Sequence, residues 1–237
     1  MKRYTKQAEP LYLFCRFWVR LTLRFLLRLN RSAIRGAENV PETGGVIVAS
    51  NHASVLDPPV IASAVERPLT YLAKEELFKN RLIGWFIGSL GAFPVKRGRN
   101  DRQAMRAAID LLKEGRGVVF FPEGTRSRTG EIGRMKPGFV LVAAEAEVPV
   151  VPAYIDGTFE AWPRGGKFHP AKVRVAFGEP METKGMERSG RAYREFAARF
   201  EAEVRRLREE MLEAGGDARC DRADGAASAV TRKGRPK

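Results

Sequence analysis

Residues 45–59 read GVIVASNHASVLDPP. The apolar run GVIVAS at 45–50 has the composition of a β-strand, a turn follows, and Asp57 before Pro58 is a favourable N-cap with proline at the first helical position. A strand that turns directly into a helix is the repeating unit of an α/β sheet, and the same alternation continues along the chain. Further strands are expected at 69–73 (LTYLA), 91–95 (GAFPV), 117–121 (GVVFF), 148–155 (VPVVPAYI) and 172–178 (KVRVAFG). Helical periodicity lies between several of them, most plainly at 102–114, where Met105, Ala108, Ile109 and Leu112 share one face, and again at 137–146. A last helix begins after Ser189, with Tyr193, Phe196, Phe200, Val204, Leu207 and Met211 at spacings of three and four. The ordering predicts a single α/β domain over 36–213, with a mostly parallel central sheet flanked by helices. From 214 to 237 the chain is polar and aperiodic, and disorder is expected there.

The chain has 237 residues, 44% hydrophobic and 30% charged, which excludes fibrous and low-complexity proteins. Cys15 and Cys220 are its only cysteines and His52 and His169 its only histidines. Disulfide frameworks and clustered zinc sites are thereby excluded, and a reducing cytosolic compartment fits best. His169 stands in Phe168-His169-Pro170 and reads as a loop residue.

The net charge of +14 is unevenly placed. Residues 1–35 carry nine basic groups against Glu9, whereas residues 36–213 carry 27 against 24. One end of the molecule is thus prepared for an anionic partner. Residues 10–30, PLYLFCRFWVRLTLRFLLRLN, place Arg16, Arg20, Arg24 and Arg28 at strict i, i+4 spacing among large apolar side chains. As a helix this is a cationic stripe on an apolar cylinder. A central arginine costs about 2.5–3.5 kcal/mol in a bilayer-spanning segment, so four of them favour a helix lying in the plane of an anionic membrane. A secretory signal does not fit, because the arginines interrupt the apolar region. Nucleic acid is excluded as a partner by the large apolar neighbours and by the absence of a zinc-finger, helix-turn-helix or RNP-like pattern.

Two stretches carry chemistry, and both follow predicted strands, where α/β sheets bind their ligands. In Asn51-His52-x4-Asp57 the two ionisable groups are five apart, about 140° round a continuous helix, so they meet only if His52 lies in a turn ahead of the helix. An Asp beside the imidazole holds one tautomer and leaves the other nitrogen to remove a proton. Taken alone, the same residues also read as a capping Asp and a loop His. In Phe121-Pro122-Glu123-Gly124-Thr125-Arg126-Ser127-Arg128, glycine, hydroxyls and guanidiniums suit a bound phosphate. Glu123 opposes an anion there unless it bonds a neighbouring Arg or a substrate hydroxyl.

With these residues the chain resembles the glycerolipid acyltransferases, specifically the 1-acylglycerol-3-phosphate (lysophosphatidate) acyltransferases. Asn51-His52-x4-Asp57-Pro58 matches their first block, Gly91-Ala92-Phe93-Pro94-Val95-Lys96-Arg97 their second, Phe121-Pro122-Glu123-Gly124-Thr125-Arg126-Ser127 their third and Val150-Val151-Pro152 their fourth, in family order. The resemblance covers roughly residues 40–180. It implies acyl transfer from coenzyme A or acyl carrier protein to the free hydroxyl of a lysophospholipid, giving phosphatidic acid, at the cytoplasmic face of the cell membrane. His52 would deprotonate the hydroxyl and Asp57 would orient it. Glu123, Gly124, Thr125 and Arg126, with Arg97, would form the acceptor's glycerol-phosphate site, and Lys74 matches a family lysine near the phosphate.

A thioester is already activated, so the chemistry calls for no metal or organic cofactor beyond the donor's carrier. The run Leu82-Ile83-Gly84-Trp85-Phe86-Ile87-Gly88 is read as core, with an acyl-chain groove as the alternative. Acceptors such as another lysophospholipid or a lyso-ornithine lipid fit the same blocks. A non-catalytic membrane lipid-binding protein and a thioesterase are the rival classes.

Overall fold

A computed structural model of the chain describes residues 33–89, 91–95 and 101–230, together with Phe14, Phe17, Trp18, Val19, Leu21, Thr22 and Phe25 of the N-terminal segment. Seven strands form one sheet: β1 (Ile34–Arg35), β2 (Val46–Ser50), β3 (Leu69–Lys74), β4 (Ala92–Val95), β5 (Gly117–Phe120), β6 (Val150–Asp156) and β7 (Arg174–Phe177). Their spatial order is β1-β7-β6-β2-β5-β3-β4. The five strands from β6 to β4 run parallel, and β7 pairs antiparallel with β6. The expected mostly parallel sheet is therefore present. Strand β1 escaped sequence analysis because two residues are too few to show a period.

Strand β2 is the middle of the sheet and is buried throughout. Val46 and Val48 face one layer, where they meet Val60, Ile61 and Ala64 of α1 (Asp57–Ala64). Ile47 and Ala49 face the other, against α3 (Asp101–Lys113), α4 (Gly138–Ala146) and α6 (Gly190–Val230). This alternation explains why an uninterrupted apolar run was needed: a strand covered on both faces has no polar side. Two further helices, α2 (Arg81–Ser89) and the short α5 (Thr158–Ala161), follow β3 and β6.

Helix α6 lays Phe196, Phe200, Val204, Leu207 and Met211 on the sheet, as their spacing required. Its backbone stays helical past residue 213 to Val230, where disorder was expected; six alanines between 214 and 229 favour the helix against Gly215, Gly216 and Gly225. Helix α2 departs from the expectation of core burial. Leu82 and Trp85 are 80% and 54% exposed, because this helix stands over the edge of the sheet, near β4, while Ile87 packs on the core.

Pro152 lies inside β6, an unusual place for a residue without an N–H. Its carbonyl accepts the Gly178 N–H at 2.8 Å, but it has nothing to give in return. The β6–β7 ladder accordingly stops at Ala153 and Phe177.

Phe200 is fully buried, with its ring centroid 4.8 Å from that of Phe139. Phe200→Ala is expected to cost about 3–5 kcal/mol, read as a lowered urea midpoint with an unchanged m-value.

Candidate active site

The parallel strands β3, β5, β2 and β6 are neighbours, so the loops leaving their carboxyl ends stand side by side on one edge. From β2 the chain crosses by α1 to β3 on one side, and from β5 it crosses by α4 to β6 on the other. Such a reversal of direction opens a crevice at the strand ends. Both stretches singled out for chemistry emerge there.

Past Ser50 the ladder to β6 is continued by a side chain. Asn51 donates from Nδ2 to the Ile155 carbonyl and accepts the Ile155 N–H on Oδ1, both at 2.9 Å. This amide imitates a strand's peptide and releases the backbone to turn. His52 follows, and its peptide is fastened from both sides. Its N–H donates to Glu123 Oε1 at 3.0 Å, and its carbonyl accepts the Ser127 N–H at 2.7 Å. The imidazole stacks on Phe121, with centroids 4.1 Å apart and planes 21° from parallel.

His52 Nδ1 lies 2.8 Å from Asp57 Oδ2, so the turn ahead of the helix brings the pair together. The same Oδ2 accepts the N–H groups of Ala53 at 2.7 Å and Ser54 at 2.8 Å, while Oδ1 accepts the Thr158 hydroxyl at 2.6 Å. Four donors compensate a carboxylate with no exposed surface. With Oδ2 as acceptor, Nδ1 carries the ring proton and Nε2 keeps a free lone pair. Nε2 has no partner among the described residues, and 17% of the side chain is open to solvent.

The expected N-cap role of Asp57 needs correction. Asp57 is the first helical residue, and its carboxylate turns backwards to the loop instead of forwards to the helix. The two residues after it are prolines with no N–H to offer, and the Val60 N–H is taken by the Leu56 carbonyl at 2.9 Å. A forward cap would have had no donor to satisfy.

The third block forms a turn in which the Gly124 N–H bonds the Phe121 carbonyl at 3.0 Å. Glu123 points inwards and is buried. Burial pushes its carboxyl above the ordinary value, and bonds from the backbone N–H groups of His52 and Gly133 pull the other way. Glu123 is thus paired neither with an Arg nor placed on the open surface; it ties the third block to the first. Gly124 takes φ +76°, a backbone conformation that favours glycine, and is exposed with Thr125, while Arg126 is half-buried. Neither the Arg126 guanidinium nor the backbone N–H groups of Thr125 and Arg126 have a protein partner among the described residues.

Lys74 is the last residue of β3, paired in register with Val95, and so belongs to a strand at the same sheet edge. Arg97 lies outside the described residues, although β4 carries the chain to Val95 just before it. His169 is exposed in the loop after α5, away from both blocks in sequence. No group of three His, Cys, Asp or Glu side chains among the described residues could hold a metal ion.

The acyltransferase family profile matches residues 31–156, which span β2 to β6 and all four blocks. The chain belongs to the acyltransferase family. It is 33% identical over 175 residues to a chloroplastic 1-acyl-sn-glycerol-3-phosphate acyltransferase of Arabidopsis thaliana, covering 72% of this chain and 48% of that protein. The chain thus spans about half the length of that plant relative. A Bacillus subtilis 1-acyl-sn-glycerol-3-phosphate acyltransferase is 34% identical over 163 residues, with 67% of this chain and 78% of that one covered. The crystal structure of the 1-acyl-sn-glycerophosphate acyltransferase of Thermotoga maritima superposes with a TM-score of 0.64 at 30% identity, covering 83% of this chain and 87% of that one.

Within this acyltransferase fold, Thr158 was not singled out by sequence. Its hydroxyl is 101 positions from the carboxylate that it bonds. The available signal is positional: it stands just after β6, where a central parallel strand delivers its next residues to the crevice. Thr158→Val is expected to leave Asp57 Oδ1 short of a donor and to cost about 1–3 kcal/mol in urea unfolding, whereas Thr158→Ser keeps most of the stability.

Proposed function

We propose that this chain transfers an acyl group from an acyl thioester, on coenzyme A or acyl carrier protein, to the free hydroxyl of 1-acylglycerol-3-phosphate, giving phosphatidic acid. The observation that carries the reading is the His52–Asp57 pair with a free Nε2, beside a turn whose cation and amides are unsatisfied. In this reading Nε2 takes the proton of the acceptor hydroxyl as its oxygen attacks the thioester carbonyl. The new C–O bond forms, the C–S bond breaks, and the proton on His52 passes to the departing thiolate. Asp57 keeps Nδ1 protonated and stabilises the imidazolium. Arg126, with Gly124 and Thr125, receives the acceptor's phosphate, and Lys74 and Arg97 are assigned to the same phosphate by the family resemblance. Glu123 serves it by holding the turn against His52. No metal or organic cofactor takes part in these steps.

The substrate is a lipid, and the N-terminal segment supports a membrane-surface location at the cytoplasmic face. Phe14, Phe17, Trp18, Leu21 and Phe25 are helical and exposed, at the spacing of one helix face, while Val19 packs on the core. No helix among the described residues is long and apolar enough to cross a membrane. The stripe arginines Arg16, Arg20, Arg24 and Arg28 lie outside the described residues. The supported picture is a helix in the interface plane, its apolar face in the acyl boundary.

His52→Ala should lower turnover roughly 100- to 10,000-fold in a thiol-release assay with acyl coenzyme A and lysophosphatidate, with the circular dichroism spectrum unchanged. Thiol release that does not depend on lysophosphatidate would instead mark a thioesterase. Arg126→Ala should raise the KM for lysophosphatidate about 10- to 100-fold and leave the donor KM nearly alone.

Each stripe arginine near an anionic surface contributes about 1 kcal/mol, and the apolar face adds a part that salt does not screen. Vesicle binding should therefore weaken in salt without vanishing. Deleting residues 1–30 should release the protein from sedimented anionic vesicles and slow acylation of bilayer lysophosphatidate more than that of dispersed short-chain acceptor.

A further inference from the structure

Lys136 belongs to none of the four blocks, yet its side chain lies over the third. Its backbone N–H donates to the Pro122 carbonyl at 3.1 Å, which anchors the residue beside the turn. From there its ammonium reaches Gly124: a Cβ built on that glycine would stand 3.0 Å from Lys136 Nζ. Glycine at 124 therefore answers two demands, a left-handed backbone and room for the ammonium.

The surroundings leave this cation unneutralised. Among the described residues the Lys136 ammonium has no hydrogen-bond or ion-pair partner, and the residue is exposed. Glu131, the nearest carboxylate in sequence, pairs with Arg208 at 3.0 Å, and Glu123 in the turn itself is directed inwards and occupied by the N–H groups of His52 and Gly133. A lysine needing only solvation would extend into water; this one lies along the turn whose Thr125 and Arg126 amides lack acceptors. Two residues on from Gly124 stands Arg126, itself unpaired, and the Ser127 N–H on the His52 carbonyl holds that end of the turn against the imidazole. Two positive side chains and free backbone donors flank one short turn, an arrangement that suits a doubly charged phosphate monoester.

We infer that Lys136 is a further binding residue of the acyltransferase site, pairing with the phosphate monoester of the acceptor across Gly124 from Arg126. This rests on the reading given under the proposed function, and it assigns Lys136 to selection between phosphorylated and unphosphorylated acceptors. As a compact point charge on a flexible stem, Lys136 contributes attraction without the two-pronged geometry of Arg126.

The test compares lysophosphatidate with monoacylglycerol as acceptors, in dispersed short-chain form, for the full-length protein and its Lys136→Gln variant. The expected result is about a tenfold fall in the ratio of kcat/KM for lysophosphatidate to that for monoacylglycerol, with the monoacylglycerol value and the donor KM unchanged. Lys136→Arg, which keeps the charge, should recover part of that ratio. If Lys136→Gln lowers both acceptors equally, or keeps the wild-type ratio, Lys136 supports the turn only and the inference is overturned. A wild-type protein without preference for the phosphorylated acceptor overturns the functional reading and this inference together.

Discussion

A carboxylate with no surface in water must find its stabilisation inside the protein, and Asp57 finds it from four donors on two separate segments. Three come from the turn of residues 52–54 and one from Thr158 beyond β6. The cost of leaving such a charge unmet is several kcal/mol, so the turn, the start of α1 and the end of β6 are bound to one arrangement. The imidazole is the one donor of the four with a second polar face left over. The constraint that holds the loop together thereby also fixes which nitrogen of His52 is free.

A second carboxylate does comparable work from the opposite side. Glu123 is buried against the backbone of His52, so the first and third blocks are joined by a bond from the His52 N–H to its carboxylate and not through substrate. Together with the Ser127 N–H on the His52 carbonyl, this fastens a basic turn to the peptide of His52. The acidic residue that looked out of place in an anion site keeps its charge turned away from it. The cations of the turn remain unpaired as a result, which is the electrostatic condition for receiving a phosphate.

The sheet explains why such bonds can exist. Its order brings parallel strand ends to one edge, and three of them contribute residues that local sequence gives no reason to associate with one another: Phe121 and Glu123 after β5, Asn51 and His52 after β2, and Thr158 after β6. At the margin the packing is open. Leu82 and Trp85 on α2 stay exposed, and so do Phe14, Phe17, Trp18, Leu21 and Phe25 of the N-terminal helix. Burial in the core would otherwise be the ordinary fate of such residues, and exposed apolar surface of this kind is the usual mark of a binding surface.

Local pattern determined a great deal here. The strands from β2 to β7, the helices α3, α4 and α6, and the two turns singled out for chemistry follow from apolar runs, helical spacing and turn residues, all of which act over a few positions. The meeting of His52 and Asp57 was legible too, because five residues closed by a turn leave little freedom. What the sequence left open was decided at long range. The bond from Glu123 to His52 spans 71 positions and that from Thr158 to Asp57 spans 101, and neither residue type announces its partner. The direction of the Asp57 carboxylate likewise waited on the fold, since two prolines removed the forward donors and the buried loop supplied others. Lys136 lies in none of the four blocks; the turn at Gly124 brings its ammonium against the third block. Hydrogen bonds between distant segments depend on strand order, and strand order is set by burial of the whole sheet rather than by any stretch of the chain.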